Sequence, residues 1–386
     1  MALVPAPPFP QAEFRRRVNA VKQKMAAQDL SALVTSDDSH IAYLTGYTAK
    51  SGYVPQAVVV LSDADDPVFI LRRMDAPAAL YQTHLGKGGV IGYAENLVGN
   101  PEQDGFDAVI DFLGDSRVSS SGVGLEVPAQ AAQKFRARLP AARFHDVTGV
   151  IATVRAVKSD LEIEMMRQAG AITDAAVTRA AEVLRPGVPE AEAAAEIIAQ
   201  LVRGTDGLAS TALASFFLCA TPRTGTSHIP WADDVLQAGS QVNIELSGMR
   251  HGYVAPLMRT FVLGRAPDRL RRVHDAEVAG LEAALAAVAP GRTCGDVAEA
   301  FYSAAEARGV VKESRCGYAV GLNWAENTAS LKLGDPTVLK PDMTFHLMLG
   351  NWIDEDFGYV ISETFRVTES GAEVLTGSPR ELFELI

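Results

Sequence analysis

The amino-acid sequence predicts an α/β fold in two domains. Residues 1–154 read as a small mixed-sheet domain. Residues 155–386 read as a domain of two pseudo-symmetric halves, each with two helices followed by strands. Three observations lead there. First, the chain writes one stretch twice: LQAGSQVNIELSGMRHGYVAPLMRTFVLG from Leu236 and LKPDMTFHLMLGNWIDEDFGYVISETFRVTESG from Leu339, 103 residues on. Arg259-Thr260-Phe261 likewise falls 104 residues before Glu363-Thr364-Phe365, and Pro186-Gly187 falls 104 before Pro290-Gly291. Solenoid units run to roughly 50 residues, so this period marks a duplicated half-domain, and two such halves face each other across a cleft. Second, short apolar runs alternate with helical spacing through the first 150 residues, which is βα alternation. Third, Ser159-Asp160-Leu161-Glu162 is a capping box that opens a long helix.

Residues 1–11 are rich in proline and read as an extended arm. Phe14, Val18, Val21 and Met25 recur at helical spacing, and Gln28-Asp29 ends that helix. Ala32-Leu33-Val34 is a strand, Ser36 to Ser39 a turn or helix cap, and His40 to Tyr43 a short helix. The polar loop TAKSGYVPQ follows, with Tyr53 and Gln56. Val58–Leu61 and Val68–Leu71 are strands around an Asp-rich turn. Val90-Ile91, Val123–Leu125 and Phe144–Val147 continue the sheet, with helices around Phe106–Leu113 and Ala129–Leu139 between them. Residues 150–158 read as the join. Beyond it, Ile163, Met166, Ala169 and Gly170 share one helix face, and helices run to residue 203. The first hairpin region of the repeat follows, then helices over 268–308, then the second hairpin region. Asp354-Glu355-Asp356 reads as the solvated tip of that hairpin rather than as a metal cluster.

A net charge of −12 argues against nucleic acid or an anionic membrane as partner, because phosphate neutralisation needs clustered Lys and Arg. Cys219, Cys294 and Cys316 are odd in number and form no CxxC, so a reducing, cytoplasmic setting is expected without disulfides. The N-terminal stretch is broken by prolines where a signal peptide needs an apolar run. No segment approaches the roughly 18 apolar residues of a membrane span. HExxH, HxH, GxGxxG and GxSxG are all absent. What remains is cofactor-free hydrolytic or lyase chemistry, or binding alone.

The phrase RAVKSDLEIEMMRQAG at 155–170, the two-fold repeat and HGYVAPLMRTFVLG resemble the pita-bread family. That family holds methionine aminopeptidase, aminopeptidase P, prolidase and creatinase. The resemblance covers nearly the whole chain and implies a creatinase-like N-terminal domain before the pita-bread domain. Metal-dependent members carry two Asp, one His and two Glu as ligands. The matching positions here are Glu245, Pro256, Tyr318, Met348 and Ser362. The resemblance therefore implies the metal-free branch, with no cofactor. Within it the chain is similar to the ectoine hydrolases through SHIPWADD at 227–234, RCGYAVGL at 315–322, WAENTASL at 324–331, PDMTFH at 341–346 and ISE at 361–363. The Tyr53-Val-Pro-Gln56 loop belongs to the same likeness. The implied reaction is metal-independent hydrolysis of a cyclic amidine, opening ectoine to N-acetyl-2,4-diaminobutyrate. Gly52, Pro55, Val254 and Ala255 depart from that family's pattern at positions expected to line the pocket. A creatinase-like amidinohydrolase, an Xaa-Pro peptidase-like enzyme and a non-enzymatic scaffold are the alternatives.

Glu245 and Glu363 are expected on facing inner strands, either binding one ring nitrogen each or with one carboxylate clamping the amidinium and the other activating water. The apolar neighbours Ile244 and Leu246 point to burial of Glu245. Glu363, beside the repeat position of Arg259, could also form an internal ion pair. His228 is expected to move protons, since an imidazole titrates near neutral pH. Tyr318, His346, Trp324 and Tyr253 are expected substrate contacts, and Trp231 and Trp352 could wall the pocket. In creatinase-like dimers the N-terminal loop reaches the partner's cleft, so the resemblance implies a homodimer with Tyr53 acting in trans.

Overall fold

The computed structural model describes residues 4–49, 51–116, 118 and 121–386. Residues 1–3 of the proline-rich arm and Lys50 of the Tyr53 loop lie outside the described residues. The chain divides into two units, residues 1–155 and 156–386.

The first unit is built from α1 (Gln11–Ala26), β1 (Ala32–Thr35), α2 (Asp38–Thr45), β2 (Ala57–Leu61), β3 (Val68–Arg72), α3 (Ala76–Gln82), β4 (Val90–Tyr93), α4 (Gly105–Asp115), β5 (Gly122–Glu126), α5 (Ala129–Arg138), β6 (Arg143–Asp146) and α6 (Val150–Arg155). Its six strands run in the order β4-β3-β2-β1-β5-β6, and β1 is antiparallel to β2 but parallel to β5. The β-branched run of β2 suits a strand covered on both faces, and Val58, Val59 and Val60 are fully buried. Asp37 caps α2 by accepting from the Ser39 and His40 amides, each at 2.9 Å. The division at 155/156 falls inside the stretch expected as the join, and the part of it up to Arg155 is helical: α6 lies against α1 because Ile151 and Arg155 bury on its inner side. The arm is not free, since the Ala6 amide donates to the Tyr81 carbonyl at 2.7 Å.

The second unit opens with α7 (Asp160–Val183) and α8 (Glu190–Arg203), then β7 (Phe217–Ala220), β8 (Gln241–Leu246), β9 (Met249–Arg250), β10 (Tyr253–Val254) and β11 (Leu257–Val262). The pattern returns as α9 (Asp268–Ala287), α10 (Cys294–Glu306), β12 (Gly317–Ala319), β13 (Glu326–Leu331), β14 (Thr344–Met348), β15 (Asn351–Asp354), β16 (Phe357–Tyr359), β17 (Ser362–Thr368), β18 (Gly371–Val374) and β19 (Phe383–Glu384). The capping box at Ser159 and Glu162 is formed in both directions, a device that stabilises a helix start by about 1 kcal/mol. Asp354 to Asp356 form the tip between β15 and β16. The short strands β7 and β12 are additions to the expected pattern. Among the described residues no helix is long and apolar enough to cross a membrane.

The repeat is visible bond by bond. Gly187 and Gly291 both take left-handed φ, 88° and 86°, the region glycine enters without a Cβ clash. Each donates its amide back to the first residue of its repeat copy, Leu236 at 2.8 Å and Leu339 at 3.0 Å. Where the two sheets meet, Thr260 Oγ1 donates to the Val360 carbonyl at 3.0 Å and Thr364 Oγ1 to the Pro256 carbonyl at 2.8 Å. A shift of 104 carries Thr260 onto Thr364 and Pro256 onto Val360, so the two bonds are two-fold mates. The halves also hold each other's loops. The Val254 amide of the first hairpin donates to the Gly321 carbonyl at 3.0 Å. Trp352 of the second hairpin donates through Nε1 to the Thr226 carbonyl at 2.8 Å, and Thr224 Oγ1 donates to the Asp356 carbonyl at 3.0 Å.

Strand alternation decides which side chains meet. Val242, Ile244 and Leu246 of β8 join Ile172, Ile197 and Leu201 of α7 and α8 in one core. Phe345 and Leu347 of β14 join Ile361 and Phe365 and the helical Leu281 and Phe301 in another. Asn243 and Glu245, and likewise Thr344, His346 and Met348, therefore point to the opposite, inner face.

Candidate active site

On that inner face lies a cavity of about 530 Å³. Glu245 of β8, Met258 of β11 and Phe217 of β7 supply the wall from the first half. Tyr318 of β12, Met348 of β14 and Trp352 of β15 supply the second, with Arg315, Trp324 and His228 from loops. Glu245, His228 and Met258 also border a side pocket of about 20 Å³ that reaches Cys219 and Asn243.

Glu245 is 7% exposed, and burial pushes its pKa up to about 7. The polar N–H edge of the nearby Trp324 indole opposes that rise. A carboxyl poised there holds both protonation states near neutral pH. His228 sits at φ 58° on the loop that Thr224 and Thr226 fasten to the second hairpin. Its ring lies 5.5 Å from Phe217 and 6.4 Å from Trp352. Gly225 of the same loop is required, since a Cβ there would stand 2.1 Å from the Asp354 carbonyl oxygen.

On the second wall the Trp324 Nε1–H donates to the Tyr318 hydroxyl at 3.1 Å. Burial, joined by the nearby Glu245 carboxylate, raises the Tyr318 phenol well above its ordinary range. The Arg315 guanidinium lies 4.5 Å over the Tyr318 ring, and its one hydrogen bond among the described residues is a 3.5 Å contact to Ser330 Oγ. Behind this wall Lys312 donates to Ser314 Oγ at 2.7 Å and to the Gly350 carbonyl.

The structure thus brings Glu245, His228, Tyr318, Trp324 and Trp352 together and sets several expected residues elsewhere. Glu363 does not line the cavity. It shares the parity of Ile361 and Phe365, which places it on the outer face, and it is locked to Arg259 Nη2 at 2.9 Å and Arg380 Nε at 3.1 Å, with Thr376 Oγ1 donating at 2.5 Å. Arg259 is itself saturated by the Met258, Ser362, Ser378 and Pro379 carbonyls. The expectation of a catalytic Glu363 is corrected on that ground. Tyr253 is buried and donates to Glu162 Oε1 of α7 at 2.8 Å, so it holds the fold and not a substrate. His346 is fully buried one layer behind Tyr318. Val254 and Ala255 are core residues, not pocket lining. Trp231, 38% exposed, packs on Phe216. Tyr53, in the first unit, is 70% exposed, with its hydroxyl taken by Arg72. Sequence reasoning missed Arg315 as a cavity residue, although it stands three positions before Tyr318 in a stretch already singled out. It also missed Met258 and Phe217, which only the strand register reveals.

The five positions that the resemblance matches to metal ligands are Glu245, Pro256, Tyr318, Met348 and Ser362. Glu245 is the one carboxylate. Pro256 has only its carbonyl, which accepts from Thr364. Ser362 Oγ accepts from the Met258 amide at 2.7 Å and meets His346. Tyr318 is a protonated phenol and Met348 a thioether. Among the described residues no three His, Cys, Asp or Glu side chains are placed to hold a metal ion. This donor set does not fit a divalent cation, which takes several carboxylate, imidazole or thiolate ligands.

Residues 164–369 match the model of metallopeptidase family M24, and residues 17–157 that of the creatinase/prolidase N-terminal domain. An uncharacterized hydrolase/peptidase of Sinorhizobium fredii is 60% identical over 97% of both chains. The ectoine hydrolase of Halomonas elongata is 35% identical over 97% of this chain and 98% of its own. Among solved structures, dipeptidase PepE from Mycobacterium ulcerans superposes with a TM-score of 0.83 at 25% identity, covering 98% of this chain and 99% of that one.

Proposed function

This chain belongs to metallopeptidase family M24 and carries a creatinase/prolidase N-terminal domain; from that membership and from its cavity we propose a metal-independent hydrolase that opens a C–N bond of a small zwitterionic cyclic amidine, with ectoine the first substrate to try. One observation supports this above the rest: Glu245 and Arg315 line the same cavity. An amidinium ring bearing a carboxylate presents a cation at one end and an anion at the other. A carboxylate binds amidinium N–H groups, and a guanidinium binds a carboxylate, through charge-assisted hydrogen bonds roughly twice as strong as neutral ones. The likeness to an ectoine hydrolase over nearly the full length points to the same substrate class.

In this reading Arg315 anchors the substrate carboxylate and turns the ring toward Glu245. Water adds its oxygen to the amidine carbon, and the Glu245 carboxylate takes the proton that water loses. The tetrahedral adduct then breaks one C–N bond. The departing ring nitrogen takes a proton from His228, the adduct's hydroxyl gives its own proton back to His228 as the carbonyl forms, and the proton held by Glu245 leaves with the amine, so an amide stands at one nitrogen and an ammonium at the other. Trp352, Met258 and Met348 keep the ring in an apolar setting that strengthens these charge contacts. The three free, buried cysteines suit an enzyme of the reducing cytoplasm. Tyr53 is proposed to serve the cavity of a second copy of the chain; light scattering that finds only monomer removes that part.

The deciding experiment is proton NMR of ectoine incubated with EDTA-treated protein. The ring methyl signal is expected to give way to an N-acetyl methyl. An unchanged spectrum removes ectoine as substrate, and turnover that returns only on adding a divalent metal removes the metal-independent route.

A further inference from the structure

A line of hydrogen bonds runs through the second half into the cavity wall, and its direction can be worked out atom by atom. The Met258 N–H donates to Ser362 Oγ at 2.7 Å. Ser362 Oγ lies 2.8 Å from His346 Nε2, and His346 Nδ1 lies 3.1 Å from the Tyr318 hydroxyl. The Trp324 Nε1–H, which can only donate, reaches the same hydroxyl at 3.1 Å. Ser362 and His346 are fully buried, and a buried donor left without an acceptor carries its whole desolvation cost.

His346 is fully buried and both its ring nitrogens face hydroxyls rather than a carboxylate, so the ring is neutral, carries one N–H, and two arrangements compete. With the proton on Nε2, Ser362 Oγ receives two N–H donors. Its own proton then has no acceptor among the described residues. With the proton on Nδ1, Ser362 gives its proton to Nε2. The Nδ1–H and the Trp324 Nε1–H then fill both acceptor positions of the phenol oxygen. Every donor in the buried part of the line is matched, and one is left over: the Tyr318 O–H, on a residue that lines the cavity.

We propose that His346 and Ser362 are positioning residues that lock the His346 ring as its Nδ1–H tautomer and so make the Tyr318 hydroxyl a fixed hydrogen-bond donor into the cavity. Its acceptor is an oxygen, that of the adding water or of the substrate carboxylate. A preorganised donor here stabilises charge developing on oxygen without waiting for solvent to reorient. The use of the donor rests on the hydrolase reading, whereas the tautomer does not.

The test is long-range proton–nitrogen NMR of the full chain labelled with 15N-histidine. The sequence has seven histidines, and His346→Gln assigns the ring by the signals it removes. The expected result is a protonated Nδ1 and an unprotonated Nε2, unchanged from about pH 6 to 8, where an ordinary imidazole titrates. A protonated Nε2, alone or together with Nδ1, overturns the proposal. Ser362→Ala is expected to abolish the Nδ1 preference and Ser362→Thr, which keeps the hydroxyl, to retain it. A tautomer indifferent to Ser362→Ala overturns the role of that serine. With ectoine turned over, Ser362→Ala lowers kcat about ten- to a hundred-fold while KM stays nearly constant, as loss of an orienting partner does. With ectoine inert, the hydrolase reading falls and the NMR result still decides the tautomer.

Discussion

Glu245 lives with a conflict between its charge and its surroundings. Burial raises its pKa from the ordinary 4.5 to about 7, and the polar edge of the Trp324 indole only moderates the rise. A carboxyl whose folded pKa lies above its unfolded one favours folding in its protonated form. Its contribution is therefore most favourable below about pH 4.5, declines as pH rises toward about 7, and is constant beyond; the total loss is on the order of 3 kcal/mol. Glutamine carries no charge at any pH. Glu245→Gln is thus expected to match the native protein in thermal melts near pH 4 and to exceed it near pH 8, while losing ~10²–10⁴ in kcat on ectoine. Equal stability at both pH values would show a carboxylate that titrates normally. The acid itself was legible in the sequence, because Ile244 and Leu246 on either side demand a buried strand. Arg315 was not, because an arginine in a loop shows its value only once the cavity is closed around it.

At the scale of the element, β17 shows where sequence reasoning fails and why. The repeat aligned Arg259 with Glu363, and the structure joins those two side chains. What the alignment could not convey is the face, and a one-residue step along a strand reverses it. Ser362 and Thr364 point inward, whereas Glu363 and Phe365 point toward the helices. A buried pair broken on one side leaves an uncompensated charge and costs about 3–5 kcal/mol. Glu363→Gln should therefore lower the free energy of unfolding by about that amount in urea titrations at neutral pH. Met348→Leu on the inner face of β14 should cost under about 1.5 kcal/mol. An unchanged midpoint for Glu363→Gln would mean that Arg259 is satisfied by carbonyls alone. Helices carrying caps in the sequence, α2 and α7, were readable because their start signals are local. The helix α6 was not, since only burial of Ile151 and Arg155 selects it.

At the scale of the whole molecule, each unit has its own core: Val34, Val59, Ile70 and Phe135 in the first, and the two strand-helix cores of the second. A unit with its own core folds by itself. Fragment 1–155 is expected to unfold in one cooperative thermal transition, and fragment 156–386 to keep the His346 nitrogen signals of the full chain, since every residue of that relay lies within it. A fragment 1–155 that melts without a transition would show a fold dependent on the rest of the chain. Within the second unit the paired threonine bonds and the exchanged grips, Val254 on Gly321 and Trp352 on Thr226, have a historical consequence. One half alone would have a loop with nothing to hold it and a hairpin with nothing to hold. A half-length ancestor could complete its wall only against a sister molecule.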